Sequence, residues 1–200
     1  MVPGLPQVPA MRDGALQRAH NRAMRVAIFI AQSLLLALLM ACSPALEWRT
    51  VPLPELALEV SLPCKPERAQ RNVELAGQTV EITMQSCEAG GNTFAVACAA
   101  LAQPSSAGAA LAHWRAAVLA AAQAKNAKDK PFQPDGALGL PQSVRTQATG
   151  VLPSGGAMHL EAAWFARVDQ STVTVCHAMV YGSELPRASA DVFFEALVLR

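Results

Sequence analysis

The sequence predicts an α+β domain: a largely antiparallel sheet packed by one long helix and a C-terminal helix. Three observations carry this expectation. Apolar and polar residues alternate with period two over 56–62 and again over 80–85, the spacing of strands with one buried face. A nearly all-apolar run follows over 92–101. After Pro104 comes an alanine-rich stretch with larger apolar residues at helical spacing. Strands, a helix, more strands and a terminal helix suit helices packed on an antiparallel sheet.

Each element has its own signal. Leu56, Leu58, Val60 and Leu62 alternate with Ala57, Glu59 and Ser61, and Pro63-Cys64-Lys65-Pro66 ends that strand. A short strand over 72–75 meets a turn at Ala76-Gly77. Val80, Ile82 and Met84 alternate with Glu81, Thr83 and Gln85, which predicts a strand with one wet face. Glu88-Ala89-Gly90-Gly91 supplies a hairpin turn, because glycine takes the positive φ that turn requires. In the strand over 92–101, Phe94, Val96 and Cys98 share one face, and alanines on the other leave room for a helix to come close. That helix is expected from 104 to about 125, with serine at its N-cap and Leu111, Trp114 and Val118 on one side. Lys125, Lys128 and Lys130 then sit where the helix dipole favours cations. Residues 126–141, with two Gly and three Pro, read as a loop. A weaker strand over 143–149 leads to a turn at Pro153-Ser154-Gly155-Gly156. A hairpin of 158–167 with 172–181 turns at Asp169-Gln170. The terminal helix is expected over 188–199, with Val192, Phe193, Ala196 and Leu197 toward the core.

Upstream, an apolar run over 26–41 follows Arg22 and Arg25 and closes on Leu39-Met40-Ala41-Cys42. A basic stretch, an apolar core and small residues before a cut site are the anatomy of a secretory signal. The run has 16 residues, interrupted by Gln32 and Ser33, against the roughly 20 that a membrane-spanning helix needs. An uncleaved single-pass inner-membrane anchor is the alternative. Residues 1–23 have scattered Pro, Gly and Arg; they are either an unusually long n-region or upstream of a start at Met24 or Met11. The expected division is an N-terminal extension and signal peptide (1–41), a lipidated tether held extended by its prolines (42–54), and an α+β domain (55–200).

Leu39-Met40-Ala41-Cys42 resembles the lipobox of bacterial lipoproteins. The resemblance implies a diacylglyceryl group and an N-acyl chain on Cys42, and two or more acyl chains hold a protein stably to a membrane. Ser43, not Asp, follows the cysteine, which by the family's sorting rule implies the periplasmic face of a Gram-negative outer membrane. A second likeness covers 56–199. The strand ending in Leu62-Pro63-Cys64-Lys65-Pro66, the hairpin at Gly77, the strand over 92–101 and the ending Ala190-Asp191-Val192-Phe193-Phe194-Glu195-Ala196-Leu197 resemble periplasmic proteins of the PsbP-like sandwich. Members often read Phe-Pro-Gly-x-Pro near the start and Phe-x-x-Ser-Leu at the end; here Cys64 replaces the glycine and Ala196 the serine. The likeness implies a binding or assembly role and no catalysis.

From Cys42 onward the chain has 12 Lys/Arg and 14 Asp/Glu, and no basic stripe, which excludes the electrostatic footprint of a nucleic-acid binder. With Cys42 assigned to lipid, Cys64, Cys87, Cys98 and Cys176 remain. Four cysteines in an oxidising compartment read as two disulfides with three possible connectivities. No C-x₂₋₄-C pair suggests zinc. The favoured pairing is Cys64–Cys87, both at strand ends, with Cys98–Cys176, both inside apolar strands. Cys87–Cys98 would flank one tight hairpin with Cys98 well down its strand, and four buried free thiols is the remaining alternative.

Candidate chemistry is sparse. Cys176-His177 with His159 has the residue types of a nucleophile and base, but alternation puts Cys176 and His177 on opposite faces. His113-Trp114-Arg115 offers a ligand-facing patch, against the ordinary reading of a core tryptophan with solvated neighbours. Glu59, Glu81 and Glu161 occupy polar positions of alternating strands and read as wet-face residues. Ser154-Gly155-Gly156 lacks the preceding glycine of a nucleophile elbow. Trp164, Phe165 and Tyr181 read as core, or as a partner-binding patch. The expectation is a non-enzymatic, membrane-anchored lipoprotein without cofactor or metal that binds a protein or envelope component. The alternative is a small-ligand or lipid carrier with a pocket between sheet and helix.

Overall fold

The computed structural model describes residues 46–200; the apolar run over 26–41, the lipobox-like motif and Cys42 lie outside the described residues. In chain order the strands are β1 (Arg49–Leu53), β2 (Leu58–Leu62), β3 (Glu67–Leu75), β4 (Gln78–Ala89), β5 (Asn92–Leu101), β6 (Lys125–Pro131), β7 (Val144–Val151), β8 (Ala157–Asp169), β9 (Thr172–Gly182) and β10 (Val198–Leu199). Helix α1 (Ala107–Ala121) lies between β5 and β6, and α2 (Arg187–Glu195) between β9 and β10.

The strands form two sheets. β1, β2 and β10 make a small one with β2 in the middle. The other seven run in the order β3-β4-β5-β9-β8-β7-β6, every neighbouring pair antiparallel. Two meanders, β3-β4-β5 and β6-β7-β8-β9, therefore meet along one seam between β5 and β9. Helix α1 carries the chain from that seam across one face to the far edge. The architecture is α+β and largely antiparallel.

Alternation gives the large sheet two apolar faces. One presents Phe94, Val96, Cys98, Phe165, Cys176 and Val180, covered by Leu58, Val60 and Leu62 of the small sheet and Phe193 and Phe194 of α2. Edge-on ring contacts knit these layers: Trp48 with Phe94 at 5.7 Å and Phe94 with Phe193 at 5.6 Å between centroids. The other face presents Ile82, Ala97, Ala99, Leu160, Ala162, Trp164, Val173 and Val175, covered by Ala107, Ala110, Leu111 and Trp114 of α1. The small side chains on β5 and β8 let the helix lie close to the sheet.

Both cross-links join separate parts of this fold. Cys98 and Cys176 stand directly opposite each other across the β5–β9 seam and are disulfide-bonded, with Cα atoms 4.1 Å apart. Cys64, just past β2, is bonded to Cys87 on β4, with Cα atoms 5.9 Å apart. One bond stitches the meanders together; the other ties the small sheet to the large one.

Several expectations are corrected. The long helix is 15 residues preceded by a 3-10 turn at Pro104–Ser106, and it stops at Ala121, where Gln123 turns into a left-handed conformation (φ 48°). Ser106 does not cap it; its hydroxyl donates to the Gln103 carbonyl at 2.6 Å. Lys125, Lys128 and Lys130 belong to edge strand β6, which begins where the helix was expected to end and runs on into the stretch read as a loop. All of β6 is exposed, so no burial pattern could mark it, and its lysines and Pro131 are typical of a sheet edge. Part of the expected tether is strand β1, extended as its prolines suggest but paired to β2. The terminal helix ends at Glu195 and the chain re-enters the small sheet as β10. Its inner stripe is Ala190, Phe193 and Phe194, with Leu197 buried just beyond its end, while Val192 faces solvent. The wet face of β4 closes over from Thr83: Thr83 and Gln85 are buried on the side that carries Cys87.

Removing the seam cross-link should be costly. In a chain-entropy model the bond across 78 residues contributes about 4 kcal/mol, and Cys64–Cys87 about 3 kcal/mol. Cys98→Ala with Cys176→Ala should lower the urea-unfolding free energy by about 3–5 kcal/mol. A loss below about 1 kcal/mol would show that the β5–β9 pairing needs no covalent help.

Candidate functional site

At one end of the large sheet, on the α1 face, the last turn of the helix and the sheet splay apart. The β4–β5 strands contribute Met84 and Ala95, β8 and β9 contribute Met158, Met179 and Tyr181, and the helix contributes Val118, Ala121 and Ala122. The segment leaving β7, Val151-Leu152-Pro153, forms the far wall. Together they enclose an open groove of about 530 Å³, within the range of sites that hold small molecules or side chains.

The local sequence explains the groove. Gly150 on β7 sits against the helix end: a Cβ there would come 2.3 Å from the Ala122 carbonyl oxygen. That carbonyl instead accepts from Val151 N at 2.9 Å, which pins the end of α1 beside β7. Beyond this clamp the helix stops, and the apolar residues on the sheet lose their cover. Met84 and Val151 are exposed, at 36% and 39% of their surface. All three methionines of the described residues and the chain's only tyrosine line this one groove. Methionine is flexible and polarisable, and fits its surface to different partners. Tyr181 is the only ionisable side chain in the lining, so the groove offers contact area, not acid–base chemistry.

The sequence-predicted residues fall elsewhere. Cys176 and His177 do face opposite sides of β9. Cys176 is in the disulfide, and His177 lies under α1. His159 pairs with Gly182, five positions from His177 along β9. His177 stacks on Trp164 at 5.1 Å with rings 13° from parallel, and Trp114 closes over it at 5.6 Å. Burial pushes its pKa down to about 3, so the imidazole is neutral. Neither His177 Nε2 nor Trp164 Nε1 has a hydrogen-bond partner among the described residues. This is a packed aromatic stack, not a base beside a nucleophile.

His113-Trp114-Arg115 divides its roles. Trp114 is core, and His113 Nδ1 accepts from Ala76 N at 2.7 Å, joining α1 to the β3–β4 turn. Arg115 pairs with Asp129 at 2.7 Å and lies 6.0 Å from the Trp164 ring. Burial alone would raise the Asp129 carboxyl, but the Thr146 hydroxyl at 2.6 Å and the Arg115 guanidinium outweigh it and hold the carboxyl below its usual range. Glu59 pairs with Arg200 at 2.8 Å, and Glu81 is exposed. Glu161 departs from the wet-face reading: it is buried and paired with Arg145, which is also buried. Arg145 reaches Asp191 at 2.7 Å with its other arm and lies over the Phe194 ring at 4.3 Å. Burial of the carboxylate is offset by the Arg145 guanidinium and the Gln147 amide, both on Oε1. Ser154-Gly155-Gly156 forms the exposed β7–β8 turn. Trp164 and Phe165 are core, whereas Tyr181 lines the groove. Among the described residues no group of three or more His, Cys, Asp or Glu side chains is placed to hold a metal.

The sequence raises a pocket between sheet and helix only as an alternative, and Tyr181 as part of a partner-binding patch, without assembling the rest of this lining. Its only local signal is Val151-Leu152, an apolar pair between Gly150 and Pro153 where a polar turn would be ordinary.

His177 generates a pH prediction. Unfolded, it titrates near its ordinary 6.5; folded, near 3. Its contribution to stability is whole above about pH 6.5 and is lost as pH falls toward 3, at about 1.4 kcal/mol per pH unit. Between pH 7 and pH 4.5, His177→Phe should lose about 2–3 kcal/mol less unfolding free energy than the native chain. Equal losses would mean that His177 is protonated in the fold.

No protein-family model matches the chain, and no curated protein matches it in sequence.

Proposed function

We propose that this chain is a non-enzymatic envelope lipoprotein, held at the periplasmic face of the outer membrane by lipid on Cys42, whose groove takes up an apolar segment of a protein partner. The observation that carries the binding reading is the groove at the end of α1, with Met84, Met158, Met179 and Tyr181 in its lining. It is open, and Met84 and Val151 on its rim stay exposed. A small ligand lying inside would leave that rim wet, whereas a partner with its own apolar surface covers rim and floor together. The likeness to PsbP-like binding and assembly proteins agrees with this reading.

Two disulfides are the chemistry of an oxidising compartment outside the cytoplasm. Among the described residues no helix is long and apolar enough to cross a membrane. The attachment to the outer membrane rests on Leu39-Met40-Ala41-Cys42 and Ser43.

A second reading, acyl-chain carriage, has the volume and flexible lining of the groove in its favour. Photo-crosslinkers at positions 84 and 151 separate the two. A discrete protein adduct from both, absent from position 192 on α2, is expected, and oleate should leave it unchanged. An adduct competed away by oleate would support carriage instead, and equal adducts from all three positions would remove the groove's special role.

The anchor has its own test. Cys42→Ala should abolish incorporation of labelled fatty acid and the shift to mature size. Undiminished labelling of the variant would overturn the lipoprotein reading while leaving the groove untouched.

A further inference from the structure

On the opposite face of the large sheet, beside the start of α2, lies a second depression of about 370 Å³. Its character is unlike the groove's. Two register pairs on β7 and β8, Gln147 with Glu161 and Thr149 with His159, make a polar floor. Lys128 of β6 and Arg187, the first residue of α2, line its sides.

Its electrostatics are specific. Neither Lys128 nor Arg187 is engaged in an ion pair among the described residues, so both charges are open to the cleft. The nine-residue helix α2 starts at this cleft with no side-chain cap and no acidic residue in its first turn, so its positive end is uncompensated. Against these cations stands one buried carboxylate. Glu161 Oε1 accepts from Arg145 Nε and from Gln147 Nε2, the latter at 3.2 Å. No hydrogen bond within the described chain reaches Oε2. Arg145 is held from behind by Asp191 and Phe194, so the Glu161 carboxylate is fixed in place and its Oε2 stays open as an acceptor for a donor in the cleft.

We infer that this cleft binds a small hydroxylated anion of the sugar-acid class. A carboxylate sits between Lys128 and Arg187, where charge-assisted hydrogen bonds are strongest. Hydroxyls of the same molecule donate to Glu161 Oε2 and exchange hydrogen bonds with Thr149 and His159. A bare anion such as phosphate offers at most one or two hydroxyls and brings its own charge up against Glu161. A neutral sugar lacks the charge that Lys128 and Arg187 need. Both halves are required, and this two-part demand sets the specificity. The inference is independent of the groove, which lies on the other side of the sheet.

Calorimetric titration of the full-length chain in detergent tests it, with D-glucuronate, D-glucose and inorganic phosphate as probes. Saturable glucuronate binding is expected, with glucose and phosphate at least about tenfold weaker. Lys128→Gln with Arg187→Gln should weaken glucuronate about tenfold or more while circular dichroism and thermal unfolding stay unchanged, both positions being exposed. Thr149→Val, which removes one hydroxyl and no charge, should weaken glucuronate but not phosphate. No saturable heat with millimolar glucuronate would overturn the inference. So would phosphate binding as tightly as glucuronate, or glucuronate binding that ignores the double substitution.

Discussion

The β5–β9 seam is the pairing on which the rest of the structure depends. It joins residues about eighty positions apart, so its closure costs more chain entropy than any hairpin in the molecule. Each meander has local turns that assemble it cheaply, but neither has a complete face until the two are side by side. Phe94, Val96 and Cys98 on β5 adjoin Cys176, Ala178 and Val180 on β9, and only together do they offer the small sheet and α2 a floor. On the reverse side Ala97 and Ala99 adjoin His177 and Val175 beneath α1. The Cys98–Cys176 bond spans this line near its middle. Cys64–Cys87 then fixes the small sheet over the finished floor.

The two faces of the sheet are specialised differently. Beneath α1 the packing is apolar and aromatic up to the helix end, and the groove begins where the helix stops. Beneath α2 a charged network, Arg145 with Glu161 and Asp191, is set into the layer beside Phe194. Desolvating these groups is expensive, and a well-packed apolar trio would fold as well. A fixed carboxylate next to an open cleft gives the network a reason to be there.

Legibility in the sequence followed the range of the forces involved. Strand β5 was readable because its turn glycines and its alternating face are both local, and Gly90 and Gly91 do take positive φ. The two cysteine pairs were readable from strand ends and strand interiors. Edge strand β6 was not, since a strand exposed on both sides has no burial period. Val192 misled because one helical stripe is as apolar as its neighbour until the packing partner is known. Glu161 misled because its cation, Arg145, arrives from the next strand and not from its own. The lining of the groove was unreadable for the same reason: Met84, Val151 and Met179 are remote in the chain, and what joins them is the point where α1 ends.

Both outer strands of the large sheet are coated with charge. β3 carries Glu67, Arg68, Arg71 and Glu74, and β6 carries Lys125, Lys128, Asp129 and Lys130, with Pro131 at its end. Unpaired backbone along such strands is an invitation to add a further strand, and charged side chains and proline withdraw it. On a lipid-anchored chain this would matter more than in free solution, because neighbouring copies are confined to a plane and meet edge to edge. The sheet is thereby closed to growth in its own plane, and whatever associates with it has to approach from above or below, onto a face.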